Sequence, residues 1–204
     1  MNHLVSESTR RHMTVDQYLA FEQHSPARHE YLAGEVFAMT GASAQHVAIA
    51  TRLFGATVAH LRGTPWQASM SDVKVRVRTN MRDYFYYPDM LVISDGDRRA
   101  DGGERMPFVR SPRLIAEVIS PSTENIDRRE KAMMYRELTS LEEYVLVAQE
   151  ECEVTIFRRR QNWRPVVCNL LEDVAEFRSI GLSLPLMHIY REPPEAVARV
   201  AEPK

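Results

Sequence analysis

Cysteine is scarce in this 204-residue sequence: Cys152 and Cys168 stand alone, without the paired spacings of a zinc ribbon or a secreted disulfide scaffold. A thiol-based framework is excluded, and both thiols are expected to be reduced and buried. Charge of one sign is also missing. Lys plus Arg (26) nearly balances Asp plus Glu (28), for a net charge of -2. No global basic field advertises a polyanion, so any such partner must be gripped by a local patch. No stretch approaches the roughly 18 uninterrupted apolar residues of a membrane span, and MNHLVSESTRRHMTV holds no apolar signal core. A cytoplasmic protein without a membrane partner is expected. Lysine itself is rare, at positions 74, 131 and 204 only, so a Lys inside the chain is a marked choice.

What is present is a chain with 44% hydrophobic residues, enough for one real core. One domain over residues 13–191 is expected, with polar tails at 1–12 and 192–204. Thr14 followed by Gln17 reads as a capping box, opening a short helix with Val15, Tyr18, Leu19 and Phe21 inward. HEYLAGEVFAM alternates around Ala33-Gly34, which predicts a hairpin over residues 29–40. Spacings of three and four through Val47, Ala50, Leu53, Phe54, Val58 and Leu61 predict a helix over 43–62, closed by Gly63. Strand signals follow in WQASM, DVKVRVRT, YFYYPDMLVIS and RLIAEVIS. Residues 95–112 form a long charged loop. Thr123 is expected to cap a helix over 124–139, and YVLVAQ, CEVTIFRRR and WRPVVCNL are further strands. Strands around two principal helices make a layered mixed sheet with helical cover.

Two of these strands carry the chemistry. YYPDMLVIS and LIAEVIS are apolar in the manner of strands buried on both faces, and one carboxylate interrupts each: Asp89 and Glu117. A lone buried carboxylate is costly, so it needs compensation. Each acid can pair with one of the many arginines, or the two can share a divalent cation. Mg²⁺ accepts one or two carboxylates together with waters and phosphate oxygens. On the following helix, Asp127 and Lys131 stand four apart and share a face, with Tyr135 one step further.

The runs YYPDMLVIS, LIAEVISPSTENIDRREKAMMYREL and LEEYVLV, preceded by HEYLAGEVFAMTGAS and His46, resemble the Uma-two family of restriction endonucleases. That family is itself similar to a branch of the PD-(D/E)xK nuclease superfamily. The resemblance covers about residues 13–191. It implies a restriction-endonuclease-like α/β (α+β mixed) core: a central mixed sheet flanked by helices, with an N-terminal helix and hairpin. It also implies acids gathered at a sheet edge around Mg²⁺, with Mn²⁺ as substitute, and DNA as substrate. Asp89 matches the motif's acid after Pro88, and Glu117 its second acid; both are implied to be catalytic and metal-binding. The pattern's Lys, two residues after the second acid, is replaced by Ile119.

The resemblance moves that Lys to Lys131, with Asp127 positioning it. Lys74 is the rival, because Asp72 and Lys74 share a face of a strand expected to pair with the Asp89 strand. Glu30 and Glu35 match the family's hairpin acids, which either complete the metal shell or remain solvated charges. His46 and Tyr135 are candidate supports of the site. Between residues 98 and 136, nine Arg or Lys oppose six acids. Arg98, Arg99, Arg105, Arg128 and Arg129 are the candidate phosphate contacts. The run Arg158 to Arg160 reads as a solvated strand end. A homodimer is expected for such folds. The leading expectation is a Mg²⁺-dependent endonuclease; the alternative, fed by Ile119, is a nuclease-fold protein that no longer cuts and serves as a binding or assembly module.

Overall fold

The computed structural model describes residues 11–39, 41–70, 72–96, 108–120 and 126–190. The Thr14 hydroxyl accepts from the Gln17 amide at 3.3 Å while the Gln17 side chain accepts from the Thr14 amide at 2.9 Å. This reciprocal cap starts α1 (Val15–His24), whose two buried residues, Tyr18 and Glu22, stand four apart on one face. The hairpin of β2 (His29–Leu32) and β3 (Glu35–Ala38) turns through Ala33 and Gly34 at φ of 54° and 115°, the positive-φ pair that a two-residue hairpin requires. A short strand, β1 (Arg11–His12), pairs with β3. The long helix α2 (Ala44–Leu61) begins where the Ser43 hydroxyl accepts from the His46 amide at 3.0 Å.

Two sheets follow. The first runs β1-β3-β2-β6-β5, with β5 (Val75–Thr79) and β6 (Arg82–Tyr86) as a hairpin. The second sheet also uses β4 (Trp66–Met70), β7 (Met90–Ser94), β8 (Leu114–Ile119), β9 (Glu143–Ala148), β10 (Val154–Arg158) and β11 (Pro165–Cys168). Its order is β11-β10-β9-β8-β7-β4, antiparallel except for β8 with β9. That parallel pair needs a crossover. It is supplied by a π-helical turn, Ile126–Lys131, continuing into α3 (Ala132–Arg136).

Every residue of β8 and β9 is buried, and strict alternation sorts them between two cores. Leu114, Ala116 and Val118 join Met90, Val145 and Val147 against Ile49 and Leu53 of α2. Ile115 and Ile119 join Leu91, Ile93 and Leu146 against Ala132, Tyr135 and Leu138. A small hairpin of β12 (Val174–Phe177) and β13 (Leu182–Pro185) closes the α2 core with Ala175, Phe177 and Leu184.

Several expectations are corrected. YFYYPDMLVIS is two strands, not one: β6 ends at Tyr86 in the first sheet, β7 starts at Met90 in the second, and Tyr87-Pro88-Asp89 crosses between them. Proline has no N–H to donate to a ladder, so Pro88 marks the break. The strand after Lys74 therefore pairs with β6 and not with the strand that follows Asp89. Val47 and Val58 are exposed, and the buried stripe of α2 runs through Ile49, Ala50, Leu53, Thr57 and Leu61. Arg158 is buried, its Nε 2.9 Å from Glu143 Oε1, and Arg159 bonds the Leu141 carbonyl; Arg160 alone is exposed. Cys152 is buried as expected, with burial pushing its thiol up to about 11, whereas Cys168 is only half-buried. The expected cap at Thr123 lies outside the described residues.

Candidate active site

The β7–β8 register pairs Met90 with Ala116, Leu91 with Ile115 and Val92 with Leu114. One step further, Asp89 stands opposite Glu117, and alternation puts Glu117 on the face it shares with Ile115 and Ile119. The two acids meet at the strand ends. The Val118 amide donates to Asp89 Oδ2 at 2.7 Å, and the Asp89 amide donates to Glu117 Oε2 at 3.4 Å. From the first turn of α2, His46 Nε2 lies 2.8 Å from Asp89 Oδ1.

From the π-helical turn, Lys131 Nζ reaches three carboxylates: Glu30 Oε1 at 3.1 Å, Asp127 Oδ1 at 3.3 Å and Glu117 Oε1 at 3.4 Å. The Tyr135 hydroxyl donates to Glu117 Oε1 at 2.9 Å, and the Tyr144 hydroxyl donates to the Asp127 carbonyl at 2.9 Å, anchoring the turn to β9. π-helical turns of this kind recur at functional sites. Exposure is graded across the cluster. The Glu117 and Asp127 side chains are 4% and 5% exposed, those of His46 and Asp89 18% and 23%, so the site opens on the Asp89 side.

Four carboxylates thus surround one ammonium and one imidazole. Burial pushes the Glu117 carboxyl well above its ordinary value; Lys131 opposes this, and the other acids add to it. Burial pulls Lys131 down, but Glu117, Glu30 and Asp127 overcome it, and the ammonium is held well above its usual range. The two directions agree: acids outnumber cations, so Lys131 holds its proton more tightly than usual, and Glu117, the most buried acid of the cluster, gives its own up less readily. His46 is raised by its hydrogen bond to Asp89, against the opposing effect of burial. Burial and Glu117 hold the Tyr135 hydroxyl protonated.

Residues 15–187 match a family model described as "Uma2: Putative restriction endonuclease". The chain belongs to the Uma2 family. A protein of Synechocystis sp., "Uncharacterized protein slr1290", is 33% identical over 181 residues, covering 88% of this chain and 92% of its own length. A second from that organism, "Uncharacterized protein sll1609", is 28% identical over 142 residues, covering 70% and 78%. The fold matches the crystal structure of an Anabaena variabilis protein described as "a putative nuclease belonging to DUF820". The TM-score is 0.70 at 18% identity, covering 88% of this chain and 98% of that one. The mixed α/β architecture is therefore that of a nuclease-like fold.

Of the residues singled out in the sequence, Asp89, Glu117, Lys131, Asp127, Glu30, His46 and Tyr135 converge on this cluster. Lys74 does not join them: its ammonium donates to the Tyr87 hydroxyl at 3.1 Å, and burial lowers its pKa. Glu35 shares the hairpin face of Glu30, two register steps toward the turn, but is exposed, and the three carboxylates that Lys131 reaches are Glu30, Asp127 and Glu117. Arg128 pairs with Glu153 at 2.9 Å, Arg129 is exposed, and Arg98, Arg99 and Arg105 lie outside the described residues. Ile119 is 4% exposed and packed among apolar side chains, so the usual Lys position is core, and the cluster's ammonium comes from the crossover helix.

Among the described residues no three His, Cys, Asp or Glu side chains group as metal ligands. Glu30 is ion-paired to Lys131 instead. Asp89 and Glu117 offer carboxylate oxygens of the kind that a hard divalent cation takes. Sequence reasoning missed Tyr86 and Glu22. The Tyr86 ring packs edge-on against Tyr135 with Lys131 Nζ 5.8 Å from its centroid, and its buried hydroxyl has no hydrogen-bond partner among the described residues. The available signal for Glu22 was its position one turn beyond Tyr18, on the inward face of α1.

Proposed function

We propose that this chain is a Mg²⁺-dependent endonuclease that hydrolyses DNA phosphodiester bonds. The observation that carries this reading is the meeting of Asp89 and Glu117 at adjacent strand ends, with surplus negative charge, beside the Lys131 ammonium. Membership of a restriction-endonuclease family supports it. Asp89 and Glu117 would hold the ion, which when bound lowers the pKa of a water and stabilises charge growing on the phosphate oxygens.

The chain's own groups divide the remaining work. Tyr135 and Lys131 both engage Glu117 Oε1, which leaves Oε2 on the Asp89 side. The Val118 amide fixes Asp89 Oδ2, and His46 holds Oδ1. Lys131, held charged by Glu30 and Asp127, orients the attacking water or a non-bridging phosphate oxygen. Exposed Arg129, on the same helical turn, grips the backbone.

The test is direct. Mg²⁺ or Mn²⁺ should raise the melting temperature and support plasmid nicking, and Glu117→Gln should abolish both. Intact plasmid in Mn²⁺, with no metal-dependent shift, would overturn the proposal and favour the binding-module reading that Ile119 at the usual Lys position supports.

A further inference from the structure

A second buried polar network lies against the site and meets it at Glu30. Glu22 is 1% exposed on α1. Its Oε1 accepts from the His29 amide at 3.0 Å and from the Tyr87 hydroxyl at 2.8 Å, and its Oε2 pairs with His29 Nδ1 at 3.0 Å. The Lys74 ammonium donates to the Tyr87 hydroxyl and stands 5.6 and 5.4 Å from the ring centroids of Tyr18 and Tyr87. Tyr18 donates to the His29 carbonyl at 2.7 Å. Taking a carboxylate and an ammonium out of water is unfavourable until their partners offset it, and apolar residues of similar volume would cover the same hairpin without that penalty.

What the network grips explains its presence. His29 is the residue before Glu30 on β2. Tyr87 donates its amide to Glu30 Oε1 at 3.4 Å and is separated from Asp89 by Pro88 alone, whose ring fixes φ and leaves little slack. Glu22 therefore ties together the two chain segments that deliver the Glu30 and Asp89 carboxylates. We propose that Glu22 is a positioning residue, setting through His29 and Tyr87 where Glu30 and Asp89 stand relative to Lys131 and Glu117. This rests on the nuclease reading for its catalytic consequence. Its structural consequence does not.

The test uses Glu22→Gln and Tyr87→Phe, the second keeping the ring and removing only the hydroxyl. In both, amide hydrogen exchange should accelerate at residues 29–31, 87 and 89–91 while residues 143–148 of β9 keep their protection. The Mn²⁺ concentration for half-maximal thermal shift should rise roughly 10-fold, the scale of lost outer-shell support. DNA cleavage should lose kcat with KM unchanged. Uniform or unaltered exchange, or a wild-type metal midpoint in both variants of a cleaving enzyme, overturns the positioning role. If the wild type neither binds metal nor cleaves, the nuclease reading fails, and the exchange pattern alone decides whether Glu22 holds the two segments.

Discussion

Glu117 concentrates the energetic tension of the molecule. A carboxyl raised in the folded state binds a proton there that the unfolded chain releases, so the metal-free protein loses stability as pH rises from its ordinary value of 4.5 toward the raised one. Glu117→Gln removes that slope. Metal-free melting temperatures at about pH 5 and about pH 8 should lie closer together in the variant than in the wild type, the slope that remains belonging to His46, which its bond to Asp89 raises. Lys131 does not confound the measurement: its raised pKa contributes stability that is present below 10.5 and lost only as pH climbs through the folded value. Tyr86 makes the opposite kind of case. Its buried hydroxyl has no partner among the described residues, and an unmade hydrogen bond costs about 1–3 kcal/mol. Tyr86→Phe should stabilise the protein by about 1 kcal/mol in urea denaturation. A loss of stability would show that the hydroxyl is satisfied in solution.

At the scale of elements, the hairpin that carries Glu30 depends on its turn. Gly34 sits at φ 115°, and a Cβ there would overlap the His12 ring of β1. Gly34→Ala combines backbone strain with that clash. It should cost about 1–3 kcal/mol in chemical denaturation. Unchanged stability would mean that β1 can detach from β3 at no cost. The crossover after β8 departs from expectation: the sequence predicts a helix over 124–139, but the structure has a π-helical turn whose Asp127 carbonyl is taken by the Tyr144 hydroxyl, continuing into α3. Lys131 and Tyr135 still face Glu117, because the turn continues directly into α3.

For the whole molecule, a net charge of -2 means that affinity for a polyanion must come from a local patch. Binding to DNA should weaken as salt rises, with a log–log slope set by the number of phosphates neutralised. Arg129→Ala should reduce that slope by about 0.9 in fluorescence anisotropy titrations, and a slope equal to wild type would remove Arg129 from the interface. The described residues contain no helix long and apolar enough to cross a membrane.

The sequence by itself determined what depends on near neighbours. The Thr14 cap, the Ala33-Gly34 turn, the span of α2 and the apolar run of β8 each arise from residues a few positions apart. It also marked Asp89, Glu117, Asp127 and Lys131, because an acid in an apolar strand and a rare Lys are visible without coordinates. Tertiary structure decided everything that depends on distant partners. Pro88 hands the chain from one sheet to another, and the β7–β8 register sets Asp89 opposite Glu117, 28 residues away. Glu143 draws Arg158 out of solvent, and Tyr87 turns Lys74 toward Glu22 rather than the acids. The reason is physical: a charged side chain has several affordable partners, and only the packed chain determines which of them lies within hydrogen-bond reach.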